Sequence, residues 1–387
     1  MFFEDKRWSF DTYSIFKKRR LSFVPKRTSE LVALIAISST LFLFLHTRDL
    51  HEQLKQMEVK LDPSSSSSAG SSSGSNSDML NREDTSISLI NEIQEEHLDP
   101  LSLNNTARSR HEVLFFNRVP KVGSQTFMEL MRHLSVRNGF GFHRDHIQRV
   151  ETIRLPRPEQ KQLAEMISSY STPSVYIKHI CFINFTEFHM PEPIYVNLVR
   201  DPVERVISWY YYVRAPWYYV ERKQAFPDLP LPDPAWLKKD FESCVLRGDR
   251  ECSYLSGETR EGIGDHRRQS LFFCGHDESC LPFNTVGALE KAKMAVEKHY
   301  AVVGVLEDLN TTMTVMENYI PRFFAHASQI YHEDMVQYRK INHNIFKPPV
   351  REEIKQIVRQ NFTREIEFYQ FCRQRLHRQL YALNNLK

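Results

Sequence analysis

Val113-Leu114-Phe115-Phe116-Asn117-Arg118-Val119-Pro120-Lys121-Val122-Gly123-Ser124-Gln125-Thr126-Phe127-Met128-Glu129-Leu130-Met131 decides the fold. The apolar run Val113–Phe116 reads as a buried strand, and Phe127 onward reads as the start of a helix. Between them lies a turn of small residues that carries one lysine. A strand that ends in such a turn and feeds a helix N-terminus is an anion site, because backbone N–H groups, hydroxyls and a cation face one spot. A phosphate or phosphosulfate suits it. The turn is not a Walker A loop, which sets its lysine after the glycines of Gly-x-x-x-x-Gly-Lys-Ser/Thr. Here Lys121 precedes Gly123, so it can reach the strand end, where a donor's leaving-group oxygen would lie. A lysine that merely faces solvent from an ordinary strand-to-helix turn is the plain alternative.

A second segment of the same kind weighs against that alternative. Pro193-Ile194-Tyr195-Val196-Asn197-Leu198-Val199 is alternating and β-branched, as a strand is, and Arg200-Asp201-Pro202-Val203-Glu204-Arg205 follows it. Asp201 is placed as an N-cap, with Pro202 at the first helical position and Glu204 where a capping box wants it. Arg200 then lies at the strand end and Ser208 two turns into the helix. Together they can hold a second phosphate. Two anion sites at two strand ends suit a nucleotide phosphorylated on both its 3′ and 5′ sides.

Lys121 with its Gly-Ser-x-Thr turn, together with Arg200 and Ser208, resembles the sulfotransferases that use 3′-phosphoadenosine 5′-phosphosulfate. The strings Phe116-Asn117-Arg118-Val119-Pro120-Lys121, Arg200-Asp201-Pro202-Val203-Glu204-Arg205 and Phe272-Phe273-Cys274-Gly275-His276 look like those of the uronyl/heparan sulfate 2-O-sulfotransferase family, over residues 111–380. The resemblance implies an α/β domain of the P-loop-NTPase-like sulfotransferase fold, with a central parallel sheet flanked by helices. It implies that Lys121, Val122, Gly123, Ser124, Gln125 and Thr126 surround the 5′-phosphosulfate, and that Arg200 and Ser208 hold the 3′-phosphate. Arg339, in Tyr338-Arg339-Lys340, is its candidate for an arginine that closes on the nucleotide from a late loop. It pairs Cys244 with Cys252 and Cys274 with Cys280. Those short spacings favour disulfides over zinc in an oxidising compartment, each bridge contributing about 2–3 kcal/mol. Cys181 and Cys372 are left over, read as buried thiols rather than as a third bridge.

The sulfuryl acceptor, a sugar hydroxyl, is a poor nucleophile and needs a base of near-neutral pKa. Val175-Tyr176-Ile177-Lys178-His179-Ile180 reads as a strand between the other two, with His179 near the C-terminal edge where open α/β sheets bind ligands. His179 aligns with the family's catalytic histidine. Several members carry a second histidine two positions earlier, where this chain has Ile177, so His179 is expected to act alone. Lys121 would stabilise charge on the leaving oxygen. No metal is called for.

The acceptor implied is a sulfated or uronic-acid polysaccharide, for which basic residues beside aromatics are the candidates. Arg118 is one, within the family motif. His143-Arg144, His266-Arg267-Arg268, and Arg214 with Trp217, Tyr218, Tyr219, Arg222 and Lys223 form three clusters. Glu221 stands where heparan-active relatives are basic, which leaves the acceptor's identity open. Two other classes remain in play. One is a nucleoside-phosphate kinase, against which the lysine spacing counts. The other is a catalytically inactive lumenal glycan-binding protein with the same fold.

The chain has 387 residues and a net charge of +3. Residues 1–27 hold eight Lys/Arg against three Asp/Glu, so the remaining residues, 28–387, have 43 basic against 45 acidic side chains. The excess charge is thus a membrane flank and gives no reason to expect a nucleic acid. Leu31–Leu45 is apolar and uncharged, so residues 29–47 read as a transmembrane signal anchor. The positive-inside rule leaves residues 1–28 as a cytosolic tail and puts the rest in the lumen, a type II topology that the resemblance places in the Golgi; a cleaved signal peptide is the plain alternative. Leu50, Leu54, Met57 and Leu61 form a short heptad seam, residues 63–78 a Ser/Gly-rich tether, and 48–110 together a stem. The seam alone is equally a stem helix with no partner; the family resemblance implies a homotrimer. The lumenal sulfotransferase domain is expected over 111–387, with helices at 284–298 and 351–380 and a further strand at 301–306. Sequons stand at Asn104, Asn184, Asn310 and Asn361, all after the anchor.

Overall fold

Four of the five strands are buried at every position or nearly so, which marks a sheet covered on both faces rather than an amphipathic one. The computed structural model describes residues 99–109, 112–146, 148, 152–259, 266–335 and 347–385. The anchor at 29–47, the coiled-coil seam and Arg339 lie outside them. Among the described residues no helix is long and apolar enough to cross a membrane.

In chain order the elements that build the site are β1 (Val113–Asn117), α1 (Ser124–Asn138), β2 (Gly141–Arg144), α2 (Arg157–Ser168), β3 (Ser174–Lys178), β4 (Ile194–Val199), α3 (Pro202–Tyr212), α4 (Pro216–Ala225), α5 (Val286–His299), β5 (Tyr300–Val305), α6 (Leu309–Tyr319), α7 (Glu352–Gln360) and α8 (Thr363–Asn384). The strands form one sheet in the order β2-β3-β1-β4-β5, and every pairing is parallel. The connection from β1 runs to one side of the sheet and that from β4 to the other. The C-terminal ends of β1 and β4 therefore flank the topological switch point, where such sheets open a crevice.

Neighbouring residues of β1 face opposite layers. Phe116 meets Phe127 of α1, ring centroids 5.2 Å apart, while Phe115 meets Tyr176, Tyr195 and Phe185 at 6.0, 6.0 and 5.9 Å. Burying a phenylalanine of this kind contributes about 1.5–3 kcal/mol. A second apolar cluster lies under α3, where Val203, Val206, Ile207 and Tyr210 pack with Phe241, Phe283, Ile354 and Phe362.

Several sequence expectations are refined. Residues 351–380 form two helices, because the chain turns at Asn361 and Phe362 and drives the Phe362 ring between Tyr254 and Phe283, each 4.9 Å away. The edge strand β2 is absent from the sequence reading because it is half-exposed and Gly/His/Arg-containing. Residues 99–109, assigned to the stem, are part of the folded body. Asn105 Nδ2 donates to Glu297 O and Tyr300 O at 2.8 and 2.9 Å, and Gln379 Nε2 donates to Leu103 O at 3.1 Å. Both disulfides are formed, Cys244–Cys252 and Cys274–Cys280, and Cys181 and Cys372 are buried thiols.

Candidate active site

The turn from β1 to α1 is held open in a conformation that most residues avoid. Lys121 has φ +66° and Gly123 φ +79°, both left-handed. A Cβ at Gly123 would stand 2.5 Å from Leu306 Cδ1, so a larger residue would have to displace that leucine as well as accept the left-handed backbone that favours glycine. The carbonyls of this turn are taken by arginines from the neighbouring junction. Arg205 Nε donates to Pro120 O at 2.9 Å, and Arg200 Nη1 donates to Lys121 O at 3.2 Å. The N-terminus of α1 has no side-chain cap and no acidic residue in its first turn. Its leading N–H groups and the positive end of its dipole are thus offered to an outside anion. Ser124 is the buried first residue of α1, Thr126 is half-buried, and Val122 packs into the core and offers only backbone. Gln125 turns its side chain to Arg118, whose Nη2 donates to Gln125 Oε1 at 3.2 Å.

Lys121 is surrounded by cations. Burial, followed by Arg200, Arg118 and Lys347, pulls its pKa down from 10.5 to about 7. Its Nζ lies 3.5 Å from the centroid of the Tyr212 ring. A desolvated lysine among three other cations, at an uncapped helix start, fits an anionic donor with more than one phosphate-type group.

Glu204, Ser208 and Tyr212 are spaced by four along α3 and share one helix face. Glu204 accepts from Lys347 and Lys355, each at 2.8 Å, and lies 3.7 Å from Arg200. Against the opposing effect of burial, Lys347 and Lys355 hold its carboxyl down at about 2. Tyr212 meets Lys121. Ser208 is therefore bracketed between the Arg200/Lys347 end of the crevice and the Lys121 end. Asp201 caps α3 as expected, its Oδ1 accepting from Val203 N and Glu204 N at 2.9 and 3.0 Å. The capping box does not close. Glu204 turns to the lysines, and Asp201 N donates instead to Glu307 Oε1 at 3.1 Å.

His179 follows β3 directly, and Nδ1 lies 2.9 Å from Arg118 O. A carbonyl only accepts, so Nδ1 carries the proton and Nε2 is the basic nitrogen. Burial, then Arg118, then Arg205 and Lys178 keep the ring's pKa well below 6.5, against the opposing bond to Arg118 O. Lys178 is drawn to Asp145 on the opposite side of the strand. The floor of the crevice is a buried polar brace. Asn197 Nδ2 donates to Asn117 O at 2.7 Å, Tyr300 OH to Asn117 Oδ1 at 2.8 Å, and Asn117 Nδ2 to Phe272 O at 2.9 Å.

Electrostatic contact thus links Lys121, Arg200, Arg118 and His179 across the ends of β1, β3 and β4. The other candidates lie apart from them. His143 is on the edge strand β2 with its ring stacked on Tyr170 at 3.9 Å. Arg222 and Lys223 are in the last turn of α4, where Arg222 lies 5.5 Å from the Tyr218 ring and Lys223 donates to Pro227 O. Lys223 and Arg214 border a cleft of about 1210 Å³ that also includes Tyr219, Leu237 and Pro348.

Three arginines of the proposed basic clusters are held by protein partners. Arg214 is clamped between the rings of Tyr210 and Trp236, 3.5 and 4.0 Å away, and its Nη2 donates to Glu251 at 2.7 Å. Arg267 pairs with Glu258 and the buried Arg268 donates to Leu281 O. Tyr212, Lys347 and Arg205 escaped the sequence reading. For Arg205 the signal was available, since it lies on the buried side of a helix whose apolar spacing could be counted. Among the described residues no group of three or more His, Cys, Asp or Glu side chains could hold a metal ion.

Asn104 and Asn184 cap single turns, each Oδ1 accepting from the N–H and hydroxyl of the threonine two residues on. Asn310 and Asn361 are exposed.

Comparison with known proteins identifies the family. The profile described as "Sulfotransferase family" matches residues 104–372. The uronyl 2-sulfotransferase homolog pip of Drosophila melanogaster is 36% identical, covering 97% of this chain and 93% of its own. The uronyl 2-sulfotransferase of Mus musculus is 30% identical over 68% of this chain and 61% of its own, and the heparan sulfate 2-O-sulfotransferase 1 of Xenopus laevis 29% over 73% and 76%. The chain belongs to the sulfotransferase family, in the branch that holds the uronyl and heparan sulfate 2-O-sulfotransferases.

Proposed function

We propose that this protein transfers the sulfuryl group of 3′-phosphoadenosine 5′-phosphosulfate to the 2-OH of a uronic acid in a glycosaminoglycan or related glycan. The observation that carries the proposal is the desolvated Lys121 at an uncapped helix start, one strand from the half-buried His179. The donor supplies an activated sulfur whose leaving group is a phosphate. The N–H groups of α1, Ser124 and Thr126 hold its 5′ end, and Arg200 and Ser208 its 3′-phosphate, with Arg339 as a further closing residue. His179 Nε2 takes the proton of the attacking hydroxyl as the new O–S bond forms. Lys121 stabilises the electron pair left on the phosphate oxygen as the old S–O bond breaks. The cations that depress the imidazole are met by donor and acceptor charge on binding, which raises its proton affinity when it is needed. Arg118, at the mouth of the crevice, is the leading acceptor contact, with His143, Arg222 and Lys223 further out.

The relatives' names support a uronic-acid acceptor. The anchor-like segment 29–47 supports a type II Golgi membrane protein with this domain in the lumen, a homotrimer through the stem, and glycans on Asn104, Asn184, Asn310 and Asn361. Ile177, in place of a second histidine, favours one other reading, a glycan-binding protein that no longer turns over. The full chain, incubated with ³⁵S-labelled donor and a panel of uronic-acid polymers, should label one of them. His179→Ala should lower turnover by about 10²–10⁴-fold while calorimetric binding of 3′-phosphoadenosine 5′-phosphate persists. Donor binding without transfer to any polymer would select the inactive reading.

A further inference from the structure

Lys121 has an aromatic ring where a half-buried lysine ordinarily has a carboxylate. Its Nζ is 3.5 Å from the centroid of Tyr212, the last residue of α3. That ring is fixed by others around it. Trp209 is 5.9 Å away, Trp217 5.0 Å at 71°, and Tyr218 5.0 Å, so the ring is wedged between the end of α3 and the start of α4. The charged groups near Lys121 come from every neighbouring element. Arg118 comes from the β1–α1 turn, Arg200 from the β4–α3 turn and Lys347 from the chain ahead of α7. The nearby carboxylates are engaged elsewhere. Glu204 of α3 pairs with Lys347 and Lys355, and Glu307, after β5, lies 3.9 Å from Arg200 and accepts from Asp201 N.

We propose that Tyr212 is a positioning residue for sulfuryl transfer, its ring face holding the Lys121 ammonium at the end of β1 with no counter-anion among the described residues. The inference rests on the role given to Lys121 above. A ring face attracts a cation through its quadrupole yet carries no net charge. A carboxylate in that place would hold the lysine more firmly, but it would cancel the field the donor enters and would have to be expelled from it. The ring also restricts a side chain that otherwise has many rotamers, so less order has to be imposed as the transition state forms. What matters in this scheme is the electron-rich face and not the hydroxyl.

The test is a series at position 212 in the full chain: Tyr212→Phe, the same position carrying 4-fluoro- and then 3,4,5-trifluorophenylalanine, and Tyr212→Leu. Shape hardly changes along the fluorinated set while the quadrupole fades. We expect kcat to fall stepwise with fluorination and by about tenfold in Tyr212→Leu. Affinity for 3′-phosphoadenosine 5′-phosphate should change by less than about threefold, and Tyr212→Phe should recover most of the lost turnover. The alkaline limb of kcat/KM should move to lower pH along the same series, because a weaker ring favours the ammonium less. Equal kcat across the fluorinated set, or a Tyr212→Phe variant as impaired as Tyr212→Leu, overturns the proposal. Should the unmodified protein transfer sulfate to no polymer, the functional reading fails instead. The rate of Lys121 acylation against pH, followed by mass spectrometry in the same variants, then tests the Tyr212 contact without turnover.

Discussion

The β1–α1 and β4–α3 junctions are alike in plan and opposite in electrostatics. At the first, α1 begins on a left-handed glycine with no cap and no acidic residue, and the lysine beside it is desolvated. At the second, Asp201 satisfies two leading N–H groups of α3, and Glu204 follows in its first turn. Under the proposed function, the free N–H groups of α1 would lead in receiving an anion at the first junction, and the side chains of Arg200 and Ser208 at the second. Backbone donors are fixed by the fold and suit the reacting end of a donor, where geometry controls rate. Side-chain donors can adapt, which is enough at an end that only has to be held.

Substitutions at the two junctions should separate these roles. The largest effect is expected for Lys121→Met, which should lower turnover by about 10²–10³-fold in the sulfate-transfer assay. The same change should stabilise the protein. Below pH 7 Lys121 is charged both folded and unfolded, and the folded state bears the desolvation cost in full. Between pH 7 and 10.5 the unfolded chain binds one more proton, so that cost fades as pH rises. Melting of Lys121→Met should thus exceed the parent by about 2–4 °C at pH 6 and by less at pH 9, and an equal gain at both would contradict the buried charge.

Arg200→Ala should weaken 3′-phosphoadenosine 5′-phosphate by about 10–100-fold, the loss expected for a charge-assisted contact. Adenosine 5′-phosphate, which lacks the 3′ group, should be affected far less, and equal losses would move Arg200 to the other junction. Ser208→Ala should cost about fivefold in the same titration, as a single neutral hydrogen bond does. Asp201→Ala should be the mildest for the donor. It removes a cap worth about 1 kcal/mol of stability and should leave donor affinity nearly unchanged. A donor defect larger than that of Ser208→Ala would mean that the two junctions are not divided as described.

The parts of this comparison that were legible in the sequence are local. The strand β1, the Lys121–Gly123 turn, the Asp201-Pro202 start of α3 and both disulfide pairs could be read because neighbouring residues specify them. The capping box at Glu204 failed, because its carboxylate is claimed by Lys347 and Lys355, some 140 to 150 positions away in the chain. Arg214 and Arg268 looked like acceptor contacts for the same reason. Their partners, the Trp236 ring, Glu251 and Leu281 O, are supplied by the fold and not by the adjacent sequence. Tyr212 was invisible as a lysine partner because nothing in a run of three tyrosines says which one faces the crevice.

The Asn117–Asn197–Tyr300 brace bears on how such a protein can diversify. Directional bonds tie three adjacent strands to one another and to the Phe272 carbonyl beneath the reacting groups. A sliding strand would strand several amides without partners, so this foundation resists drift. The rim built by α4, by contrast, is tied to the crevice mainly through ring contacts that tolerate exchange of one aromatic for another. Under the proposed function, changes in sugar preference are expected on the rim while the bonded foundation below stays as it is.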